Sequence, residues 1–419
     1  MNRNLALIFV FFVVLLGLRF YFFYSNQPQL LDGQTLSFET RILSQPHTFG
    51  SRQVFTANYK NQKIRITTSR FPEFSYGDFV RISGSISIKN SRLLIYFPKI
   101  EEIKENPSML GKGLEVVNSL RQKFINLFSK TLPSPSSSLM LGIIFGIKEQ
   151  MPKDFAGNLK TTGVFHVIAA SGMNVTLIGG FISTGLAFFL KRQIAIGLSI
   201  LAIIFYAVLA GLEASIIRAG IMGIIVFSAQ IMGRQTLAVN GLFLAGFAML
   251  FIDPSLIFDI GFQLSFTATM GLILIRPLFK RDKPVEDVED VLRRYDIFGK
   301  SVIREDLMTT IAAQIATLPI LLANFGIYSI YSILVNGLVL WTVPLIMMIG
   351  GLGALVGLIL EPLGQLLIYL CYPLLLYFEN IVQIFGKMGG VIAIQALAFE
   401  FAAGYYCLLG AALIILKKK

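Results

Sequence analysis

The chain has 419 residues, 55% of them hydrophobic and only 14% charged, with a mean hydropathy of +0.70. A soluble domain carries about 25% charged residues, so composition excludes a soluble enzyme or binding module and points to a polytopic α-helical membrane protein. The formal net charge of +12 gathers before residue 110, in short loops and at Lys417-Lys418-Lys419, which suits an anionic partner, either lipid headgroups or nucleic acid.

The apolar run Leu5 to Leu18, continued past Arg19 by Phe20-Tyr21-Phe22-Phe23-Tyr24, is long enough to cross a bilayer that needs about 20 residues. No small-residue cleavage site follows, so residues 1–30 read as a retained anchor, with Arg3 inside and the aromatic cluster at the outer interface. From 31 to 106 the pattern changes to short period-2 runs: Leu36–Leu43, Gln53–Tyr59, Lys63–Thr68, Phe79–Ile88 and Arg92–Phe97. Five strands with these turns predict a small OB-like β-barrel outside the cytoplasm. Lys63, Arg65 and Arg81 with Tyr59 and Tyr96 supply the cations and stacking rings that single-stranded nucleic acid uses, against the alternative of a merely solvated barrel surface.

Residues 107–135 carry Leu114, Val117, Leu120, Phe124 and Leu127 near helical period, with Arg121, Lys123 and Lys130 between them, and predict an amphipathic helix at the membrane surface. Gly111-Lys112-Gly113 is not a phosphate loop, and no nucleotide-driven motor is visible. Residues 136–419 form the membrane domain proper, a succession of apolar runs interrupted by a charged segment at 276–307 that the positive-inside rule assigns to the cytoplasm. Several runs are short and glycine-rich, which predicts broken or re-entrant helices around a cavity. The segment count does not close with Lys417–Lys419 inside, so at least one segment is expected to be re-entrant. Cys371 and Cys407 lie in apolar runs and imply neither a disulfide nor a metal site; no cofactor is expected.

Three clusters of polar residues interrupt this apolar background. Gly163 to Val175 carries His166, Ser171, Gly172 and Asn174. Ser255, Asp259, Gln263, Thr267 and Gly271 recur every four residues as one stripe on an expected helix Leu256–Leu278, preceded by an Asp253-Pro254 helix start, while Thr310, Gln314, Thr317 and Asn324 form a second stripe. Arg218 and Asp259 are ionisable groups inside membrane segments, expensive unless paired or functional, and are candidates to pair with each other or to meet a passing phosphate. An intramembrane hydrolase would need a nucleophile and base, but His166 and Ser171 on one helix stand about 140° apart around its axis. With no G-x-S-x-G elbow and only two histidines, the catalytic reading is weak.

The words Gly163-Val164-Phe165-His166-Val167-Ile168-Ala169-Ala170-Ser171-Gly172-Met173-Asn174-Val175, Ile217-Arg218-Ala219-Gly220-Ile221-Met222, Gly233-Arg234 and Asp253 to Phe266, with Gly261-Phe262-Gln263-Leu264-Ser265 the most specific, resemble the competence domain of ComEC-type DNA-uptake proteins. The resemblance spans about residues 30 to 416. It implies an inner-membrane channel that passes single-stranded DNA into the cytoplasm during natural transformation, with His166, Ser171, Gly172, Asn174, Arg218, Arg234, Asp259, Gly261, Gln263, Ser265 and Gln314 in or lining the passage. It also implies partners: a DNA receptor and pilus outside, and a cytosolic helicase-like motor. Two departures stand out. Asn174 occupies a position where the family commonly has a second histidine, and the chain ends at Lys419 without the metallo-β-lactamase-like domain of many relatives, so a separate nuclease would degrade the second strand. A secondary transporter of a small anionic solute is the alternative.

Overall fold

The computed structural model describes residues 3–42, 46–74, 77–89, 92–103, 109–148, 150–168, 171–233, 237–279, 300–393 and 399–417. The chain divides into two units, Met1–Phe124 and Ile125–Lys419. In the first, helix α1 (Arg3–Ser25) precedes strands β1 (Thr35–Arg41), β2 (His47–Phe49), β3 (Arg52–Tyr59), β4 (Gln62–Ser69), β5 (Phe79–Lys89), β6 (Arg92–Tyr96) and β7 (Lys99–Glu102). The strands hydrogen-bond in the order β1-β5-β6-β4-β3-β2, with β7 on β5; all pairs are antiparallel except β4 with β6.

Seven strands replace the five expected, because β2 and β7 are too short or too charged to show a period of their own and exist through pairing. No ladder joins β1 to β2 among the described residues, so hydrogen bonding does not close the sheet into a barrel. Instead β5 serves two layers: its first half pairs with β1 and β7, and its second half, from Ile86, pairs with β6. Period-2 alternation turns Phe38, Phe55, Ile64, Ile66, Val80, Ile82, Ile86 and Ile95 into one apolar core. Just before this change of layer stands Gly84, where a Cβ would lie 2.7 Å from Ile95 Cγ2 and 3.0 Å from Pro98 Cβ. Gly84→Ala is therefore expected to destabilise the sheet by about 1–3 kcal/mol through overpacking, read as faster amide exchange at Ile86 and Ile95 in the full chain.

Helix α2 (Met109–Thr131) crosses the boundary between the units. The second unit continues with α3 (Ser136–Phe145), α4 (Lys153–Thr161), a 3-10 turn at Phe165–Val167, α5 (Gly172–Ala187), α6 (Arg192–Leu209), α7 (Ala214–Ile231) and α8 (Ala238–Ile252). A second 3-10 turn at Pro254–Phe258 leads to α9 (Ile260–Leu274) and the single turn α10 (Arg276–Phe279). After the charged segment come α11 (Lys300–Phe325), β8 (Ile327–Ser329), α12 (Ser332–Val339), α13 (Thr342–Gly357), α14 (Glu361–Leu370), α15 (Tyr372–Lys387), β9 (Val391–Ala393) and α16 (Phe399–Lys417).

By length and composition, five of the described helices can cross a membrane, and seven if α12 with α13 and α14 with α15 each count as one span, bent by 45° and 42°. The protein is an integral membrane protein. Its surface carries long apolar side chains such as Phe189, Ile252, Phe258 and Ile359 in the open, which only a lipid environment tolerates at this density. One expected continuous helix, Leu256–Leu278, is broken at the extended Asp259 between the second 3-10 turn and α9, while the stretch from Gly163, expected as a break or a lining, is extended at Ser171 before α5. Apolar sequence does not mark the residue at which such a helix breaks, because burial in lipid requires no periodicity.

Candidate functional site

The segment from Gly163 to Asn174 has a polar cluster at each end. At its start, α4 ends with Gly163 at φ +74°, and Gly163 N–H and Val164 N–H turn back to the carbonyls of Lys160 and Leu159, at 3.1 and 3.0 Å. A Cβ on Gly163 would stand 2.6 Å from Ser332 Oγ, so the missing side chain lets this turn rest on the start of α12. Ser332 Oγ in turn accepts from Gln314 Nε2 on α11 at 2.7 Å and from Asn336 Nδ2 at 3.3 Å, and Tyr328 O–H donates to Gln314 Oε1 at 3.2 Å. Gln314 thus faces Ser332 and Tyr328, not the stripe on α9. Asn336 Oδ1 and Ser329 Oγ are buried here without a hydrogen-bond partner among the described residues, two unsatisfied polar atoms inside an apolar domain.

At the other end, Ser171 Oγ donates to Asn174 Oδ1 at 3.0 Å. Asn174 is 1% exposed; its Nδ2 donates to the Ile143 carbonyl at 2.8 Å and to Tyr206 Oη at 3.2 Å, and Tyr206 O–H donates to the Ile144 carbonyl at 2.9 Å. These carbonyls belong to the last turn of α3, which has no intrahelical donors for them. Asn174 and Tyr206 therefore tie α3, α5 and α6 together. His166 lies exposed on the 3-10 turn with Nδ1 3.1 Å from the Gly163 carbonyl. Neither His166 nor Ser171 uses the other, so the two form no nucleophile and base.

Arg218, in the first turns of α7, is buried and donates from Nη1 to the Ser265 carbonyl on α9 at 3.2 Å. It does not pair with Asp259. Asp259 is the N-cap of α9, its Oδ1 accepting from Phe262 N–H at 2.8 Å, just as Asp253 Oδ1 accepts from Ser255 N–H and Oγ at 3.0 and 2.6 Å to cap the preceding 3-10 turn. Gln263 Nε2 reaches back to the Ile257 carbonyl at 2.8 Å and Thr267 Oγ1 to the Gln263 carbonyl at 2.7 Å. The four-residue polar stripe is thus largely the stitching of a helix break: Ser255 and Asp259 stand before α9, and Gln263 satisfies a carbonyl the break has freed. Gly261 faces only the capping Asp259 Oδ1, 3.1 Å from where a Cβ would stand, and no neighbouring backbone approaches it. Arg234 lies outside the described residues. A pair that sequence reasoning missed, Lys148 Nζ with Glu213 Oε1 at 3.1 Å, clips the loop after α3 to the start of α7.

The five residues proposed for nucleic acid in the sheet unit do not share one surface. Lys63, Arg65 and Tyr96 point outward from β4 and β6, where Arg65 lies between Thr56 and Leu94, and Thr67 between Val54 and Tyr96. Lys89 lies 6.0 Å from the centroid of the Tyr96 ring and Arg52 5.4 Å from that of exposed Phe97, two cation and ring pairs that add to this face and that the sequence pattern did not single out. Tyr59 packs against Phe38 at 5.0 Å between ring centroids and belongs with the core. Arg81 lies on β5 opposite Glu39 of β1 and Glu101 of β7, 2.6 and 3.9 Å away. The hydrogen bond to Glu39, then its charge, holds the Arg81 guanidinium above its ordinary pKa, and the same logic with Lys99 holds the Glu101 carboxyl below its own. Among the described residues no cluster of three or more histidine, cysteine or acidic side chains could hold a metal.

A family model described as Competence protein matches residues 143–419. ComE operon protein 3 of Bacillus subtilis (strain 168) is 25% identical over 225 residues, covering 52% of this chain and 26% of that protein. The uncharacterized protein YcaI of Escherichia coli (strain K12) is 28% identical over 164 residues, 37% of this chain and 22% of that protein. The chain thus matches about a quarter of the length of these curated relatives. No solved structure matches it. The family match takes in both helix breaks, Arg218 and most of the second unit, and on it the chain belongs to the Competence protein family.

Proposed function

We propose that the second unit forms a membrane passage for single-stranded DNA in natural transformation. The observation that carries this reading is that the family match covers a domain of broken apolar helices whose breaks are furnished with buried polar groups. Helices that only anchor a protein in lipid do not spend polar side chains this way, because each unsatisfied group in hydrocarbon costs several kcal/mol. His166, Ser171, Gly172, Asn174, Arg218, Gln263, Ser265 and Gln314 then wall the passage or hold its wall in shape. The reading puts the chain in the inner membrane, with the sheet unit outside receiving DNA from a receptor and pilus. It assigns the pulling force to a cytosolic motor.

The test is uptake of labelled transforming DNA in a competent strain deleted for this chain and free of paralogues. Loss of uptake, restored by the chain on a plasmid, supports the passage; normal uptake in the deletion strain sinks it. Broken helices equally suit a transporter of a small anionic solute, and that alternative expects uptake to survive while accumulation of the solute is lost.

For the sheet unit, the OB-like role expects the outer face of β4 and β6 to hold a strand through phosphate contacts and ring stacking. Lys63→Glu with Arg65→Glu in the full chain should weaken oligonucleotide binding and lower the slope of log K against log salt by about 0.7 for each phosphate no longer neutralised. Arg81→Gln, which breaks pairs already made to Glu39 and Glu101, should leave that slope unchanged. An unchanged slope in the double variant would leave this face with a structural role only.

A further inference from the structure

Arg218 is 7% exposed and sits on α7 where that helix packs against both α5 and α9. A guanidinium presents five N–H donors. Among the described residues its hydrogen bonding is confined to the Ser265 carbonyl, and its Nε is buried with no acceptor at all. The carboxylates nearest in sequence and motif are engaged elsewhere, Glu213 with Lys148 and Asp259 with the first turn of α9. A buried charge without a counter-ion costs several kcal/mol, so a fold that keeps one is built around a partner that comes and goes.

The guanidinium is aimed at the amino-terminus of α5. A Cβ on Gly172 would stand 2.5 Å from Arg218 Nη2, so the bare glycine lets the cation lie against the first turn of that 16-residue helix. Ser171, in the N-cap position, makes no side-chain cap bond, because its hydroxyl is turned to Asn174. Asn174 N–H turns back to the Ser171 carbonyl at 3.1 Å, which leaves Gly172 N–H and Met173 N–H without a side-chain cap among the described residues; these two donors beside a cation without a counter-ion are the two halves of an anion site. One negative charge neutralises one guanidinium, and the planar fork of donors matches two oxygens of one phosphate.

We propose that Arg218 and the first turn of α5 form a phosphodiester-binding site inside the membrane domain, a station that holds the phosphates of a DNA strand one at a time. This rests on the reading of the domain as a DNA passage. The charge match also explains how such a station releases its cargo: the bound pair is neutral, so the next phosphate can displace it.

The test uses the full chain carrying Lys63→Glu and Arg65→Glu, purified in a phosphate-free maltoside detergent, with a single-stranded dodecanucleotide as the probe. Arg218→Gln should weaken binding about 10- to 100-fold, as expected for loss of a charge-assisted pair. Arg218→Lys should fall between, and a dodecanucleotide with neutral methylphosphonate linkages should bind the parent and both variants alike. Should Arg218→Gln not fold, Gly172→Ala, whose methyl displaces the guanidinium, is expected to give the same loss. Equal affinity of parent and Arg218→Gln for the charged strand overturns the site. Lipid headgroups carry the same chemistry, so phosphatidylglycerol is titrated in parallel: Arg218-dependent lipid binding with Arg218-independent DNA binding assigns the site to lipid and overturns the proposal. In the deletion strain, restoration of uptake by the wild-type chain and equally by Arg218→Gln overturns the station while the passage stands. Failure of the wild-type chain to restore uptake, with Arg218-dependent binding in detergent, removes the passage and keeps the phosphodiester site.

Discussion

Gly364→Ala is expected to lower the stability of the second unit by about 3 kcal/mol, at the upper end of overpacking costs. Helices α13 and α14 fold back on each other across Leu358–Leu360, and their contact is glycine on glycine. A Cβ on Gly364 would run into Gly357 Cα and lie 2.5 Å from Gly357 N and 2.7 Å from the Gly353 carbonyl oxygen. These are main-chain atoms of a helix, so no side chain can rotate away and one helix has to move. In a membrane that movement is costly, because close backbone approach through small residues is a main source of helix association where the hydrophobic effect between helices is absent. Gly351→Ala, on the same α13 but with nothing within 4 Å of the added methyl, is the matched control. It should be neutral or gain up to about 1 kcal/mol from helix propensity. Titration with a denaturing detergent, followed by circular dichroism, should show an early midpoint for Gly364→Ala only. Coincident midpoints would mean that the hairpin packs more loosely than its geometry indicates.

The contrast between the two units explains what could be read from the residues alone. In the sheet unit one side of each strand faces the core and the other faces solvent, so alternation marks β1, β3, β4, β5 and β6 to within a residue or two. Neither β2 nor β7 is marked, since Lys99-Ile100-Glu101-Glu102 is a strand only because Val80 to Ser83 pairs with it. In the membrane unit lipid and neighbouring helices are equally apolar, and the pattern carries no sign of where a helix stops. The breaks at Ser171 and Asp259 were legible only as polar letters in an apolar text, and the four-residue spacing of Ser255, Asp259 and Gln263 invited a face where the chain uses caps. Asp253-Pro254 was legible as a helix start because capping chemistry is local. Arg218 was visible as an anomaly, but its isolation was not, since that depends on Asp259 and Glu213 being occupied by other partners. The glycine contacts of α13 and α14 left no trace beyond composition.

Asn174→Leu is expected to cost about 2–3 kcal/mol, while Asn174→His should retain most of the native stability. Leucine has the volume but neither donor nor acceptor. It strips the Ile143 carbonyl of its donor at 2.8 Å and Ser171 Oγ of its acceptor at 3.0 Å, and leaves Tyr206 Oη with only the bond it donates to Ile144. Interhelical hydrogen bonds in membranes average only about 0.6 kcal/mol in double-mutant cycles, because an unfolded chain finds other partners in the bilayer. Deletion of one partner is a different quantity: it leaves a main-chain carbonyl at the end of α3 buried and unpaired, at about 1–3 kcal/mol, with a smaller addition from half-buried Ser171. A neutral imidazole has one donor and one acceptor. It can give its N–H to Ile143 and accept from Ser171, and forgoes only the contact to Tyr206. On this view the asparagine of this chain and the histidine that the resemblance leads one to expect here answer the same structural demand, a clamp on the end of α3. Tyr206→Phe, which removes the bond to Ile144, should cost about 1 kcal/mol, and less in the Asn174→Leu background, where the shared network is already broken. Detergent unfolding of the parent and these four variants measures both terms. A histidine variant as unstable as the leucine one would refute the clamp, and additive losses for the asparagine and tyrosine changes would separate two residues that the structure joins.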